Sequence, residues 1–374
     1  MFLTHVIAVR TLSTPEYGEF SSAIALVGIV GVGASAVQAI TVKRVKGATV
    51  LILPRSRVAV DLVALGLVAT SIGLMSYLII GVPVATSMLL AIWVPAAVAL
   101  ARANGEIQGR ELLILLHGGT TLVAAVVLGV SGGLSRIAPT VEIFLVGRLV
   151  ITVMFAFVLL RSVDVSPLNG VRFVSRGLIH STAVVTSMWF AANLNVLMGR
   201  VALDEESAGQ IAVAAMLVNS VLLMPSLIAS AVYPRAVRMM RDERGLARLL
   251  VLSGTLAAGI QIMVALLLLL TKGFLIDWLA GSQYTEAEQL VFPLALAYVP
   301  LGTCIVVSQF LLAIGRLLDG LAFVGLVGLT AFIAVNGATD AQSFVQSLQA
   351  AASFLLAGLL FQVLLMMRKS RGQI

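Results

Sequence analysis

Apolar positions in this chain run in blocks of about twenty residues, parted by short polar stretches that hold most of its charges. A bilayer's hydrocarbon core is about 30 Å thick and takes about 20 apolar residues to cross as a helix. Blocks of that kind at 20–42, 58–80, 82–101, 112–131, 140–160, 178–199, 208–232, 249–271, 289–313, 319–336 and 345–367 predict eleven full spans. Val251–Leu270 is the clearest, without one charge. Ahead of them lies Met1–Leu12, which is apolar but too short to cross alone. It reads as the end of a further span. Either the start is assigned too far downstream or the helix is genuinely short, and the first explanation is favoured.

Composition sharpens the class. Hydrophobic residues make up 60% of the 374 positions and charged residues 11%, and the mean hydropathy is +1.09. A soluble domain carries about 25% charged residues, so a soluble fold is excluded, and so is disorder. A membrane β-barrel alternates apolar and polar residues along short strands, unlike these unbroken runs. The expected class is an all-α polytopic membrane protein. The single Cys304 excludes an intrachain disulfide and reads as packing. No cleavable signal peptide is visible.

The net charge of +7 reads as topology rather than nucleic-acid binding, because Lys and Arg stay on the cytoplasmic side of short loops. If Leu12 emerges outside, 19 of the 24 basic residues fall in inner loops and 4 in outer loops. The remaining one, Arg148, lies inside a span. Acids such as Glu16, Glu19, Asp204, Glu205 and Glu206 fall outside. This places the protein in the cell membrane with a cytoplasmic C-terminus.

An internal repeat supports two halves. Leu12-Ser-Thr-Pro-Glu-Tyr-Gly18-Glu-Phe20 and Leu203-Asp-Glu-Glu-Ser-Ala-Gly209-Gln-Ile211 both read Leu-x5-Gly-[Glu/Gln]-apolar, offset by 191 residues. The same offset pairs Ala23 with Ala214, Leu26 with Leu217, Val27 with Val218 and Arg44 with Arg235. The expected organisation is an N-terminal lobe over 1–160 with spans 1–6, the first incomplete, an inner loop over 161–177, and a C-terminal lobe over 178–374 with spans 7–12. Six spans is an even number, so the halves share one orientation, like the parallel repeats of some transporters.

Three segments resemble those of polysaccharide flippases in the multidrug/oligosaccharidyl-lipid/polysaccharide exporter (MOP) superfamily. They are Arg10-Thr-Leu-Ser-Thr-Pro15-Glu16-Tyr17-Gly18-Glu-Phe20, the stretch Asn195–Arg238 with Gly209, Pro225 and Pro234, and Ile276-Asp-Trp-Leu-Ala-Gly281-Ser-Gln-Tyr284. The resemblance implies about twelve helices in two six-helix lobes around a central cavity. It also implies movement of a lipid-linked oligosaccharide or polysaccharide precursor across the cytoplasmic membrane by alternating access.

Such cargo, a polyprenyl-diphosphate-linked glycan, is anionic and polar. Its path needs cations for phosphate, where Arg forks fit well, and amides for sugar hydroxyls. A charge at mid-bilayer costs roughly 2.5–3.5 kcal/mol on insertion scales, which marks Arg148, about 12 Å deep in its span by helix rise, as the foremost cavity cation. Its alternatives are an interhelical pair or snorkelling. Arg10 is either a rim ligand or a helix-end residue. Arg200 reads as a rim anchor in the second half. Asn193, Asn195 and Gln38 are candidate sugar-binding amides or interhelical glue, and Asn219, Gln261 and Gln309 read as glue. Asp61 is either an ion-coupling site or a helix-start acid near Arg57. His117 reads as packing. Gly28, Gly31 and Gly33 read as helix packing, and Pro83, Pro95, Pro225, Pro293 and Pro300 as kinks or gates. Arg235, Arg238, Arg241 and Arg244 recur every third residue, a basic face for anionic membrane lipids or for attracting acidic substrate.

The alternative to a flippase is a cation-coupled multidrug exporter of the same superfamily. That chemistry favours embedded carboxylates, and Asp61 is the only acid within a span interior. An enzyme is not expected. No nucleophile triad, metal cluster or P-loop is present, and the longest outer loop, about Lys272–Glu288, is small. No cofactor, metal or nucleic acid is expected. A polysaccharide polymerase or glycosyltransferases are the expected protein partners.

Overall fold

A computed structural model of the chain describes residues 2–26, 176–239, 242–281, 283–315 and 317–371. The chain divides into two compact units, Met1–Leu178 and Ile179–Ile374. The predicted spans from 58–80 to 140–160, and nearly all of the 161–177 loop, lie outside the described residues. Every regular element among the described residues is helical.

In the first unit, α1 (Phe2–Thr11) meets α2 (residues 14–26) at a tight corner. Ser13 sits ahead of α2, and both its backbone N–H and its hydroxyl donate to Glu16, at 2.9 and 2.8 Å. This is the Ser-x-x-Glu capping arrangement that satisfies a helix start. Tyr17 and Phe20 are fully buried. His5 holds α1 against them through a 3.0 Å hydrogen bond to the Tyr17 hydroxyl and an edge-on contact with Phe20.

The second unit contains α3 (Arg176–Ala192, which begins at its boundary), α4 (Leu194–Ala202), α5 (Glu205–Val218), a 3₁₀ turn (Asn219–Leu222), α6 (Leu223–Arg238), α7 (Glu243–Leu279), α8 (Thr285–Ile314), α9 (Leu317–Asn336) and α10 (Ala341–Arg371). Helices α7 to α10 are long and apolar enough to cross a membrane. α8 is the hub. Its apolar window is 67% buried, against 22%, 28% and 33% in α7, α9 and α10. It packs against α5, α6, α7 and α10, while α9 packs on α10. The poorly buried helices carry large exposed apolar side chains, such as Leu270, Phe332 and Phe361, as lipid-facing surfaces require.

Three expectations need correction. The seventh span, expected unbroken over 178–199, is interrupted at Asn193, whose φ of −111° and ψ of 10° leave the helical region. Its side-chain amide donates to the Trp189 carbonyl at 2.8 Å, offering the backbone a local alternative to the helix ladder. The eighth span, expected over 208–232, is likewise split, at Asn219–Leu222. There the chain tightens just before Pro225, which cannot donate a backbone bond. The expected outer loop Lys272–Glu288 is mostly helix, because α7 continues to Leu279 and α8 starts at Thr285. The true connection is short and turns at Gly281, whose φ of +105° favours glycine. Its N–H returns to the Ile276 carbonyl at 3.0 Å.

The repeat is visible in the backbone. The Leu12 N–H bonds to the Ala8 carbonyl at 2.9 Å, and the Leu203 N–H to Gly199 at 3.0 Å. Tyr17 bonds back to Ser13 at 2.8 Å, and Ala208 to Asp204 at 2.9 Å. Each pair is related by the 191-residue offset. Asp204 takes the place of Ser13 as cap and accepts from the Ser207 N–H at 3.1 Å. That bond holds the Asp204 carboxyl below the usual carboxylate range. Asp340, capping α10 through the Ser343 N–H at 2.8 Å, is lowered for the same reason.

Because folding favours the ionised caps, their stabilisation is present above the ordinary carboxylate pKa and fades as pH falls through the lowered folded values. Thermal unfolding of the detergent-solubilised chain should therefore weaken below about pH 4. Combining Asp204→Asn with Asp340→Asn should flatten that dependence and cost little at neutral pH, since Asn caps about as well as Asp.

Candidate functional site

The polar groups of the second unit gather around its helix breaks. Tyr298, in the middle of α8, is fully buried. Its hydroxyl donates to Asn219 Oδ1 at 2.7 Å and lies 3.2 Å from the Ala192 carbonyl. Ala192 is the last residue of α3 and Asn219 the first of the 3₁₀ turn, so one hydroxyl of α8 serves both interruptions. The shorter bond takes most of the single proton.

Asn195 stands beside this node, its amide facing the Tyr298 hydroxyl. It is 1% exposed, and apart from that neighbour no other group comes within bonding geometry of its oxygen or nitrogen. A buried amide whose bonding capacity is only partly used costs up to about 1–3 kcal/mol. Asn193, two residues earlier, is half-buried and bonded to the Trp189 carbonyl. The two amides thus differ in surroundings: Asn193 bonds its own helix at the break, and Asn195 lies buried against the Tyr298 node.

Other polar side chains act between helices. The buried Gln261 of α7 donates to the Ala257 carbonyl of its own helix and the Val299 carbonyl of α8, both at 3.2 Å. It fits because α8 presents Gly302, where any Cβ would overlap the amide. Gln309, expected as glue between helices, differs: it bonds within its own helix, to Ile305 at 3.4 Å. Gln210 of α5, buried, accepts from the Ala287 N–H in the first turn of α8 at 3.1 Å, capping that helix from its neighbour. His180 is buried with Nε2 3.1 Å from the Leu311 carbonyl.

Among the charged candidates, Arg10 is exposed in the last turn of α1. Arg200 makes a 3.0 Å ion pair with Glu205 beside the repeat corner. Arg148, Gln38, Asp61 and His117 lie outside the described residues. Among the described residues, no cluster of three His, Cys, Asp or Glu side chains forms a metal site.

Sequence reasoning passed over Tyr298, Gln210 and His180. Each carried a usable signal: a hydroxyl, amide or imidazole in an apolar helix needs a partner from another element.

No family model matches the chain, and no curated sequence does. Solved structures do. An inward-closed lipid II flippase MurJ matches with a TM-score of 0.63 and 11% identity, over 97% of this chain and 84% of that one. An inward-facing multidrug-resistance MATE-family transporter of the MOP superfamily matches at 0.64 and 16% identity, over 98% and 94%. The eukaryotic MATE transporter AtDTX14 matches at 0.60 and 13%, over 100% and 94%. The chain is thus an all-helical, multi-pass membrane protein. Its fold is the one shared by these transporters.

Tyr298→Phe should destabilise the second unit by about 1–3 kcal/mol, since it leaves Asn219 and the Ala192 carbonyl without their shared donor. Thermal unfolding of Tyr298→Phe, Asn219→Ala and the double variant should give a non-additive cycle. Gly302→Ala should cost about 1–3 kcal/mol by overpacking, and a second change, Gln261→Ala, should recover part of that loss.

Proposed function

We propose that the chain is a flippase that moves a lipid-linked oligosaccharide or polysaccharide precursor across the cytoplasmic membrane by alternating access. The observation that carries this reading is the fold shared, over nearly the whole chain, with a lipid II flippase. Two features of this chain support a glycan-bearing, anionic cargo. Asn195 holds an amide with unused bonding capacity in a buried setting, suited to sugar hydroxyls. Arg148 falls in the apolar stretch read from sequence as the span over 140–160, and a guanidinium matches diphosphate oxygens. Arg10 and Gln38 join them as candidate contacts, and Asp61 is the candidate for ion coupling. The C-terminus is assigned to the cytoplasm on the Lys/Arg bias. The polymerase or glycosyltransferases that handle such glycans are the natural partners.

The second reading is a cation-coupled multidrug exporter, favoured by an equal likeness to MATE transporters. The two differ in charge requirement: cationic drugs call for embedded carboxylates, diphosphates for embedded cations.

In proteoliposomes, the chain should translocate a fluorescent polyprenyl-diphosphate oligosaccharide and should not drive ethidium accumulation. Arg148→Ala should reduce lipid translocation at least tenfold at unchanged membrane level. Arg148→Lys should retain part of it, keeping charge without the bidentate fork. Ethidium transport without lipid translocation would establish the exporter reading instead.

A further inference from the structure

The reversal between α6 and α7 concentrates positive charge. Arg235 and Arg238 occupy the last turn of α6, and Arg244 and Arg248 the first two turns of α7. The chain between them closes through the Asp242 N–H to the Met239 carbonyl at 2.8 Å. All four guanidinium-bearing residues are exposed. The Asp242 carboxylate accepts from the Gly245 N–H at 3.0 Å as the cap of α7.

The same face of α7 then changes character. Arg244 and Arg248 are followed, at helical spacing, by exposed Val251, Leu252, Leu256, Met263, Leu266 and Leu270. The opposite face, with Leu246, Leu250, Ala257, Gln261, Ala265 and Leu268, is buried. From Val251 to Leu270 the helix rises about 30 Å, the thickness of one hydrocarbon core. Beyond it stand exposed Phe274 and Trp278, their rings stacked with centroids 6.3 Å apart, where interfacial aromatics collect. α7 thus carries its own depth scale, and the arginines sit at headgroup level at one end of the apolar stripe.

We propose that this foot of four arginines, with the apolar stripe of α7 beside it, is a binding site for anionic phospholipid. The guanidinium groups take the headgroup phosphate and the stripe takes the acyl chains. Guanidinium matches phosphate bidentately, and clustered basic residues at a membrane boundary attract anionic lipid.

The test uses the full chain in vesicles of phosphatidylcholine with phosphatidylglycerol, reading spin-labelled lipid immobilised by the protein. The wild type should prefer phosphatidylglycerol over phosphatidylcholine by about threefold or more. Arg244→Gln combined with Arg248→Gln should bring the preference close to parity at unchanged thermal stability. Arg200→Gln, at a charge already paired elsewhere, should leave it intact. Inorganic phosphate should displace the anionic lipid no better than chloride of equal ionic strength. Equal affinity for both lipids in the wild type, full preference in the double arginine variant, or specific displacement by phosphate would each overturn the proposal.

Discussion

Inside a bilayer no water satisfies a backbone N–H or C=O, so every interruption of a spanning helix needs a partner from within the protein. The second unit is organised around that constraint. Its two broken helices part at Asn193 and at Asn219–Leu222, and both breaks turn toward α8, the most buried of the four long apolar helices. The Tyr298 hydroxyl supplies the groups that the breaks expose. Gln261 and Gln210 do similar work farther along, one bridging α7 to α8 and the other capping the start of α8. These polar contacts fix which helices neighbour which, because lipid gives apolar helices little reason to prefer one another.

Membrane class and the last three spans were legible because about twenty unbroken apolar residues leave few alternatives. The expected spans over 289–313, 319–336 and 345–367 fall within α8, α9 and α10. The breaks in the seventh and eighth spans were not legible, because hydropathy is blind to backbone angles. Asn193 and Asn219 contribute little to an apolar average, yet each competes locally with the helix. Pro225 was a visible cue, but whether a proline kinks a helix or follows a tightened turn depends on neighbours that the sequence does not order. The end of α7 was misplaced for a related reason. Lys272 and Asp277 read as loop because they are charged, whereas a helix that outruns the bilayer needs charges there.

The candidate site shows the same division. The pair Asn193 and Asn195 stood out as amides in an apolar span, but only packing tells them apart. One bonds back to its own helix and the other is buried against the Tyr298 node. Tyr298 escaped notice because a tyrosine is often apolar filler, and its hydroxyl gains meaning only from the two breaks it faces. Gly302 is invisible without Gln261, since a glycine in a helix is unremarkable until a side chain occupies its place.

The matched corners after Leu12 and Leu203 share their backbone bonds although few side chains agree. Ser13 and Asp204 do one job with different chemistry. Hydrogen-bond topology has outlasted residue identity there, as expected if one ancestral gene was doubled and its copies drifted apart.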